Sequence, residues 1–158
     1  MNWAIFLALA VYLLAPVGNG GPPEAVPAAP MTVAGTQTLP GLPAFSNADL
    51  IAPWPKVVHV TASWCTTCRD EVRWLATLPD DVPVFRLGWR DGAEGATAPL
   101  DAAYDGARAD PDGAAAGWGV TGIPETLVLG PEGAVVARHL GTLTEAAMTR
   151  TVLPALER

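Results

Sequence analysis

The chain has few of the residues on which several kinds of protein chemistry depend. Its 158 residues include two cysteines, two histidines and nine lysines and arginines, against sixteen aspartates and glutamates. Two cysteines allow one disulfide, and they exclude a four-cysteine zinc cluster or an iron–sulfur centre carried by this chain alone. The few basic residues argue against nucleic-acid binding, since phosphate neutralisation supplies most of that affinity. Cys65 and Cys68 are therefore the first candidates for chemistry.

Charge is almost absent from the first 43 residues. Glu24 is the only charged side chain there, and the first lysine or arginine of the chain is Lys56. Residues 1–17 form an apolar run slightly shorter than the roughly 20 residues of a comfortable membrane span. Besides a buried helix, two interpretations stay open: a membrane anchor, or a signal peptide cleaved after Gly20. The lack of positive charge after the run favours export of the downstream residues.

A segment rich in proline and glycine separates the apolar run from the rest of the chain. Residues 16–43 contain seven prolines and five glycines and have no apolar periodicity. Such a segment cannot bury enough surface to offset the entropy lost on ordering, and its prolines keep it extended. We expect residues 18–43 to be a tether and residues 44–158 to form one domain near the outer face of a membrane.

The domain alternates strand and helix patterns. Lys56–Ala62 is apolar and β-branched on both faces, which is typical of a central strand. A helix is expected to begin near Cys65 and to end at Pro79, because apolar residues recur at helical spacing between them. Three further strands are expected, at Val82–Leu87, Thr126–Leu129 and Ala134–Leu140. A four-residue turn makes the last two strands an antiparallel hairpin.

The middle and the end of the domain give weaker patterns. Residues 88–118 are rich in glycine, alanine and aspartate, and only a short helix around Leu100–Tyr104 is expected there. Thr142 and Glu145 have the spacing of a capping box, which predicts a C-terminal helix. The resulting order predicts an α/β fold with helices on a mixed sheet. A strand that leads directly into a Cys-x-x-Cys helix is the thioredoxin pattern.

A pair of cysteines at the start of a helix is suited to disulfide exchange. Exchange requires a thiolate, and Cys65 would meet the positive end of the helix dipole and its unpaired N–H groups. Cys68 would lie close enough to attack a mixed disulfide on Cys65 and release the reduced partner. Two other interpretations stay open: a permanent structural disulfide, or a zinc or copper site that adds His59 and His139.

Several motifs resemble one family. The sequence WCTTC at residues 64–68, with Ile123-Pro124 before a later strand, resembles the dithiol and the cis-proline loop of the thioredoxin fold. The sequence GVTGIPET at residues 119–126, followed by RHLG at residues 138–141, is similar to the membrane-anchored periplasmic thioredoxins of cytochrome c maturation. These proteins are the CcmG/DsbE type, with ResA and TlpA-like relatives. The resemblance covers residues 42–158.

The resemblance implies a thiol:disulfide oxidoreductase on the periplasmic side of the inner membrane, held there by residues 1–17 or secreted if they are cleaved. Cys65 would attack a client disulfide and Cys68 would resolve the mixed disulfide. The client would be apocytochrome c or a maturation partner, and a membrane transporter of reducing equivalents would restore the dithiol. No cofactor, metal ion or nucleic acid is expected. The alternatives are a general periplasmic disulfide reductase and a copper or zinc chaperone for respiratory-complex assembly.

The resemblance also suggests roles for residues near the dithiol. Pro124 would be cis and, with Ile123, would pair with an extended substrate segment. Glu71 lies one helical turn after Cys68, and a glutamate at this position in the family helps to handle protons. The alternative for Glu71 is a solvated acidic residue. His59 stands where thioredoxins carry aspartate and the cytochrome c relatives carry asparagine. It would tune deprotonation of Cys68 or be a structural buried histidine.

The remaining candidates are expected to line the substrate groove. Trp64 would shield the dithiol, and Glu125 would face the groove after the proline. Thr66 and Thr67 separate the two cysteines, and residues at these positions tune thiolate stability. Thr66 stands where the family usually has proline, so the redox potential cannot be carried over from relatives.

Overall fold

The computed structural model describes residues 44–51, 55–92 and 103–157. The expected anchor at residues 1–17 and the tether at residues 18–43 lie outside these ranges, as does most of the expected helix around Leu100–Tyr104. None of the helices in the described ranges is both long enough and apolar enough to cross a membrane.

A mixed sheet of five strands organises the described residues. Its strands are β1 (Lys56–Thr61), β2 (Val84–Trp89), β3 (Gly106–Asp110), β4 (Glu125–Leu129) and β5 (Val135–Leu140). The spatial order is β3-β2-β1-β4-β5. The first three strands are parallel to one another, and β4 is antiparallel to both β1 and β5. Every residue of β1 is buried, which confirms a central strand covered on both faces.

Helical segments flank this sheet. They are α1 (Asn47–Ile51), α2 (Thr66–Leu75), α3 (Glu145–Ala147) and α4 (Leu153–Leu156), with short 3₁₀ turns at Ala114–Trp118 and Pro131–Gly133. A wider π-helical segment, Met148–Val152, joins α3 to α4. Backbone angles are helical at both junctions, so one C-terminal helix runs from Glu145 to Leu156.

Each face of the sheet buries its own apolar cluster. One cluster contains Val57 together with Leu75 of α2, Leu143 of the turn before α3, and Met148 and Val152 of the C-terminal helix. The other contains Val58 and Val60 together with Phe45, Leu87, Trp118, Leu127 and Leu129. Since alternate side chains of a strand point to opposite faces, His59 shares the face of Val57. The histidine therefore lies on the side of the sheet that α2 covers.

The structure differs from the sequence predictions in the middle of the domain. Strand β3 has the sequence GARAD, and its small residues gave no strand pattern because their intrinsic strand propensity is low. Five residue pairs with β2, together with burial, hold it in the sheet. Strand β2 starts and ends two residues later than expected, at Val84 and Trp89.

Two predicted helix ends are wrong as well. Helix α2 ends at Leu75 rather than at Pro79, since the next N–H groups, those of Thr77 and Leu78, bond back three residues instead of four. The capping residue of α3 is Thr144, whose side chain accepts from the N–H of Ala147. Thr142 belongs to the preceding turn, where its carbonyl oxygen contacts the ring of His139. The expected capping box of Thr142 and Glu145 therefore does not form.

Replacing a core residue of β4 tests how strongly the sheet depends on its packing. Leu127 is fully buried (0% exposed). Leu127→Ala should lower the free energy of unfolding by about 2–5 kcal/mol, because it removes buried methyl groups and leaves a cavity. Urea denaturation of the oxidised protein, followed by circular dichroism, measures the loss. Leu153→Ala, at a residue 37% exposed, is the control and should cost much less; equal losses would contradict the assigned core.

Candidate active site

Cys65 and Cys68 form a disulfide at the start of α2. Cys65 is the capping residue of the helix, and its Sγ accepts from the backbone N–H of Cys68 at 3.3 Å. Its own N–H donates to the carbonyl oxygen of Ala62 at 3.0 Å. The sulfur of Cys65 therefore faces the backbone N–H of Cys68 at the positive end of the helix, and such an environment stabilises a thiolate when the pair is reduced.

The two cysteines differ in their access to solvent. Cys65 is 7% exposed and Cys68 is fully buried. Both pack with Ala62 in a small apolar cluster, against which Ile123 also packs. Of the two cysteines, Cys65 alone therefore keeps some exposed surface.

Asp91 holds the loop that leads from β1 to the dithiol. Its side chain is buried, and its two carboxylate oxygens accept from the backbone N–H of Ser63 at 2.6 Å and from the Ser63 hydroxyl at 2.9 Å. Ser63 stands two residues before Cys65, so this pair of hydrogen bonds fixes how the chain enters the site. Sequence reasoning missed Asp91, because no local motif connects two residues that are 28 positions apart.

The peptide bond between Ile123 and Pro124 is cis, as predicted. Ile123 packs against the cluster that contains both cysteines, so the proline loop lies beside the dithiol. The loop leads directly into β4, where Glu125 pairs with Val60 of β1. Two segments more than fifty residues apart in sequence therefore meet at one end of the central strand.

The residues around the cysteines on the α2 side lie at the surface. Trp64 is 65% exposed, and Thr66 and Thr67 are exposed too. The hydroxyl of Thr67 lies 3.4 Å from Sγ of Cys65. Trp64 offers a large apolar surface next to the dithiol, and its expected shielding of the dithiol stays a prediction.

Glu125 does not face an open groove, and that expectation is wrong. The residue is 1% exposed, and its Oε1 lies 3.4 Å from Nε of Arg138. Arg138 also donates to the carbonyl oxygens of Trp118 and Gly119, at 2.7 and 3.0 Å. Burial raises the pKa of Glu125, and the positive charge of Arg138 partly opposes this rise. The carboxylate turns inward because a charged partner on the neighbouring strand compensates it there.

His59, Glu71 and Tyr104 form a buried chain of hydrogen bonds. Nε2 of His59 lies 2.8 Å from Oε2 of Glu71, and Nδ1 lies 2.6 Å from the Tyr104 hydroxyl. His59 and Glu71 are fully buried, and Tyr104 is 7% exposed. The second oxygen of Glu71 accepts from the backbone N–H of Leu143. Glu71 is therefore not a solvated acidic residue; it lies on the face of α2 that carries Cys68, one turn away.

Tyr104 is the member of this hydrogen-bond chain that sequence reasoning missed. It lies in the glycine- and alanine-rich segment for which only a short helix was expected, just before β3. A lone tyrosine among small residues is a usable signal, because a buried phenol usually needs a hydrogen-bond partner. Burial raises the pKa of Tyr104 well above its ordinary range, so its hydroxyl keeps its proton.

The metal interpretation gains no support from the described ranges. They contain no group of three or more histidine, cysteine, aspartate or glutamate side chains placed to hold a metal ion. Both ring nitrogens of His59 have partners within the protein. His139 lies in β5 and contacts the carbonyl oxygen of Thr142 at 3.1 Å.

Comparison with known proteins identifies the family. The chain is 34% identical over 144 residues to the thiol:disulfide interchange protein DsbE homolog of Paracoccus denitrificans, covering 86% of this chain and 80% of that protein. The chain belongs to the DsbE family of thiol:disulfide interchange proteins. HelX of Rhodobacter capsulatus is 36% identical over 117 residues, covering 71% of this chain and 66% of that protein. CycY of Rhizobium leguminosarum is 32% identical over 123 residues, covering 74% of this chain and 66% of that protein. No protein-family model matches the chain.

Solved structures share the fold of this DsbE-family chain. The structure of a DsbE from Chlorobium tepidum aligns with a TM-score of 0.58 at 23% identity, covering 73% of this chain and 91% of that one. The structure of MTB DsbF aligns with a TM-score of 0.56 at 25% identity, covering 70% and 87%. The predicted thioredoxin fold, with a mixed sheet flanked by helices, is confirmed. The chain is a thiol:disulfide oxidoreductase.

The buried carboxylate of Glu125 should affect stability as pH changes. Burial raises the pKa of Glu125 in the folded protein. In the pH window between the unfolded and the folded pKa, the folded state therefore still binds a proton that the unfolded state has released. Stability therefore falls as pH rises from the unfolded pKa through the folded pKa. Glu125→Gln removes this contribution, so the variant should lose less stability over that window.

Urea denaturation from about pH 4 to about pH 8 measures the difference, since this range spans the titration of a raised carboxyl group. Glu145→Gln is the control, because Glu145 is exposed on α3. The prediction would be contradicted if the free energies of unfolding of Glu125→Gln and of the wild type differed by the same amount at every pH in this range.

Proposed function

We propose that this DsbE-family protein reduces disulfides in partner proteins outside the cytoplasm, as part of cytochrome c maturation. The observation that carries the proposal is the unequal exposure of the dithiol. Cys65, at the positive end of α2, keeps a small exposed surface, and Cys68 has none. The likeness to thiol:disulfide interchange proteins supports the same chemistry.

The first step is attack by Cys65. Its thiolate forms a bond with one sulfur of the client disulfide, and the other client sulfur leaves as a thiolate. The backbone N–H of Cys68, which faces the sulfur of Cys65, stabilises the attacking thiolate. The product is a mixed disulfide between Cys65 and the client.

The second step is resolution by Cys68. Its thiol gives its proton to Glu71, one turn further along α2, and the resulting thiolate attacks Sγ of Cys65. The bond between Cys65 and Cys68 forms, and the bond between Cys65 and the client breaks. The client sulfur leaves as a thiolate and takes up a proton. The client has gained two electrons, and the dithiol has lost two. A membrane transporter of reducing equivalents then reduces the Cys65–Cys68 disulfide again.

The client segment is proposed to lie along the proline loop. The backbone that leads into the cis-proline at Pro124 lies beside the dithiol, where an extended segment could meet it by strand-like pairing. Exposed apolar side chains stand on either side, with Trp64 next to Cys65 and Leu140 at the end of β5. These surfaces, with Thr66 and Thr67, are the proposed contacts for a client such as the haem-binding cysteine pair of apocytochrome c or a maturation partner.

The domain is proposed to work on the periplasmic side of the inner membrane. The apolar run at residues 1–17 supports an anchor or an export signal, and the tether at residues 18–43 gives the domain reach. The absence of lysine and arginine before Lys56 supports export of the domain.

A Cys68→Ser variant tests both the chemistry and the client. It keeps the attacking thiol and lacks the resolving one, so a mixed disulfide should persist with one partner protein. Expression of the full chain, followed by non-reducing electrophoresis and mass spectrometry, identifies the adduct. The variant that also lacks Cys65 is the control and should give none. Adducts with many unrelated proteins would overturn the cytochrome c assignment, and the absence of any adduct would overturn the exchange.

The redox potential tests the direction of electron flow. The pair should equilibrate with a glutathione buffer at a potential near that of thioredoxin, roughly −270 mV, if it acts as a reductant. Alkylation of free thiols followed by mass spectrometry measures the reduced fraction at each buffer ratio. A value near about −120 mV, that of a strong oxidant, would contradict the proposed direction.

A further inference from the structure

Glu71, the proposed proton acceptor, is held from two sides. Its Oε1 accepts from the backbone N–H of Leu143, and its Oε2 lies 2.8 Å from Nε2 of His59. An ionised carboxylate has no hydrogen to donate, so it can only accept. The proposed resolution step requires this ionised form of Glu71, and for that form Nε2 of His59 carries the hydrogen of the bond.

Tyr104 determines what the other ring nitrogen does. A neutral imidazole with its hydrogen on Nε2 has a free acceptor at Nδ1. The hydroxyl of Tyr104 lies 2.6 Å from that nitrogen, and the two rings are nearly parallel, at an angle of 8°. Since the buried phenol keeps its proton, it donates to Nδ1. The hydrogen bond from Tyr104 thus selects the tautomer in which an N–H points at Glu71.

The groups packed around His59 come from four parts of the fold. In the sheet His59 lies beside Arg86 of β2 and Thr126 of β4, so these three side chains share a face. The positive charge of Arg86 also acts on Tyr104. From α2 comes the carboxylate of Glu71, which the backbone N–H of Leu143, in the turn before α3, also contacts. The charges that face the imidazole are those of Glu71 and Arg86.

We propose that Tyr104 is a positioning residue for the resolution step. Through His59, its hydroxyl keeps an N–H directed at Glu71 and so maintains Glu71 as the proton acceptor for Cys68. Without the hydroxyl, His59 can carry its hydrogen on Nδ1 and present Nε2 to Glu71 as an acceptor. In that arrangement the hydrogen of the bond has to be on Glu71, and a carboxyl group that already carries a hydrogen cannot take a proton from Cys68. The inference rests on the proposed function, in which Cys68 gives its proton to Glu71.

Tyr104→Phe removes the hydroxyl and keeps the ring. We expect resolution to slow by roughly tenfold, a modest part of what a general base can provide, and the attack by Cys65 to be unchanged. The probe is a peptide with an oxidised Cys-x-x-Cys-His sequence, the haem-attachment pattern. Acid quenching and mass spectrometry follow the mixed disulfide over time and across a range of pH. The attack is measured separately in the Cys68→Ser background, where resolution cannot occur.

Two comparisons distinguish a relay through His59 from a general structural loss. Thr126→Val removes another buried hydroxyl beside His59, one without a hydrogen-bond partner among the described residues, and should resolve at the wild-type rate. In the His59→Asn background, Tyr104→Phe should have no further effect, because the connection to Glu71 is already lost. Nitrogen chemical shifts of the His59 ring should report the Nε2–H tautomer alone in the wild type and a mixture of the Nε2–H and Nδ1–H tautomers in Tyr104→Phe.

The outcomes separate this inference from the proposed function. If the wild-type protein does not exchange disulfides with the peptide, the proposed function is wrong and the inference is wrong with it. If exchange proceeds and Tyr104→Phe resolves with the wild-type rate and pH profile, only the inference fails. It also fails if the substitution slows attack and resolution equally, or if it slows resolution as much in the His59→Asn background as in the wild type.

Discussion

The hydrogen-bond register of β1 is the constraint on which the site depends. Because β4 runs antiparallel to β1, the start of β4 meets the end of β1, and the cis-proline loop arrives beside the dithiol. Because β2 runs parallel to β1, the two strands end together, with Thr61 opposite Gly88. Asp91, three residues beyond Gly88, can then reach Ser63 and hold the turn into α2. A shift of β1 by one residue would also turn His59 away from α2.

The same strand carries a polar group where packing alone would favour an apolar one. His59 and Glu71 are both fully buried, and removing one partner of such a pair is typically strongly destabilising, because the other is left uncompensated. The other ring nitrogen of His59 is paired with the Tyr104 hydroxyl, and the other oxygen of Glu71 accepts from the N–H of Leu143. Three separated parts of the sequence thus hold the carboxylate of Glu71 in the interior, on the helix face that carries Cys68.

Local patterns in the sequence predicted much of this arrangement. The strand before WCTTC, the helix after it, the hairpin of β4 and β5, and the cis bond at Pro124 are all indicated by motifs that are short and continuous. Strand β3 was missed because its small residues become a strand only by pairing with β2. The contact between His59 and Tyr104 spans 45 positions, and the inward turn of Glu125 depends on Arg138 of another strand. Such contacts depend on tertiary geometry, and no local pattern encodes them.

The burial of Cys68 also bears on how the Cys65–Cys68 disulfide can be reduced again. In the proposed reaction, the thiolate of an incoming reductant would therefore attack Sγ of Cys65, the same sulfur that attacks the client. Donor and client would then compete for one patch around Trp64 and the proline loop, and they could not occupy it together. Under this mechanism electrons pass through the protein by alternating visits: each partner would have to leave before the next could dock, and no three-protein complex could assemble on the dithiol.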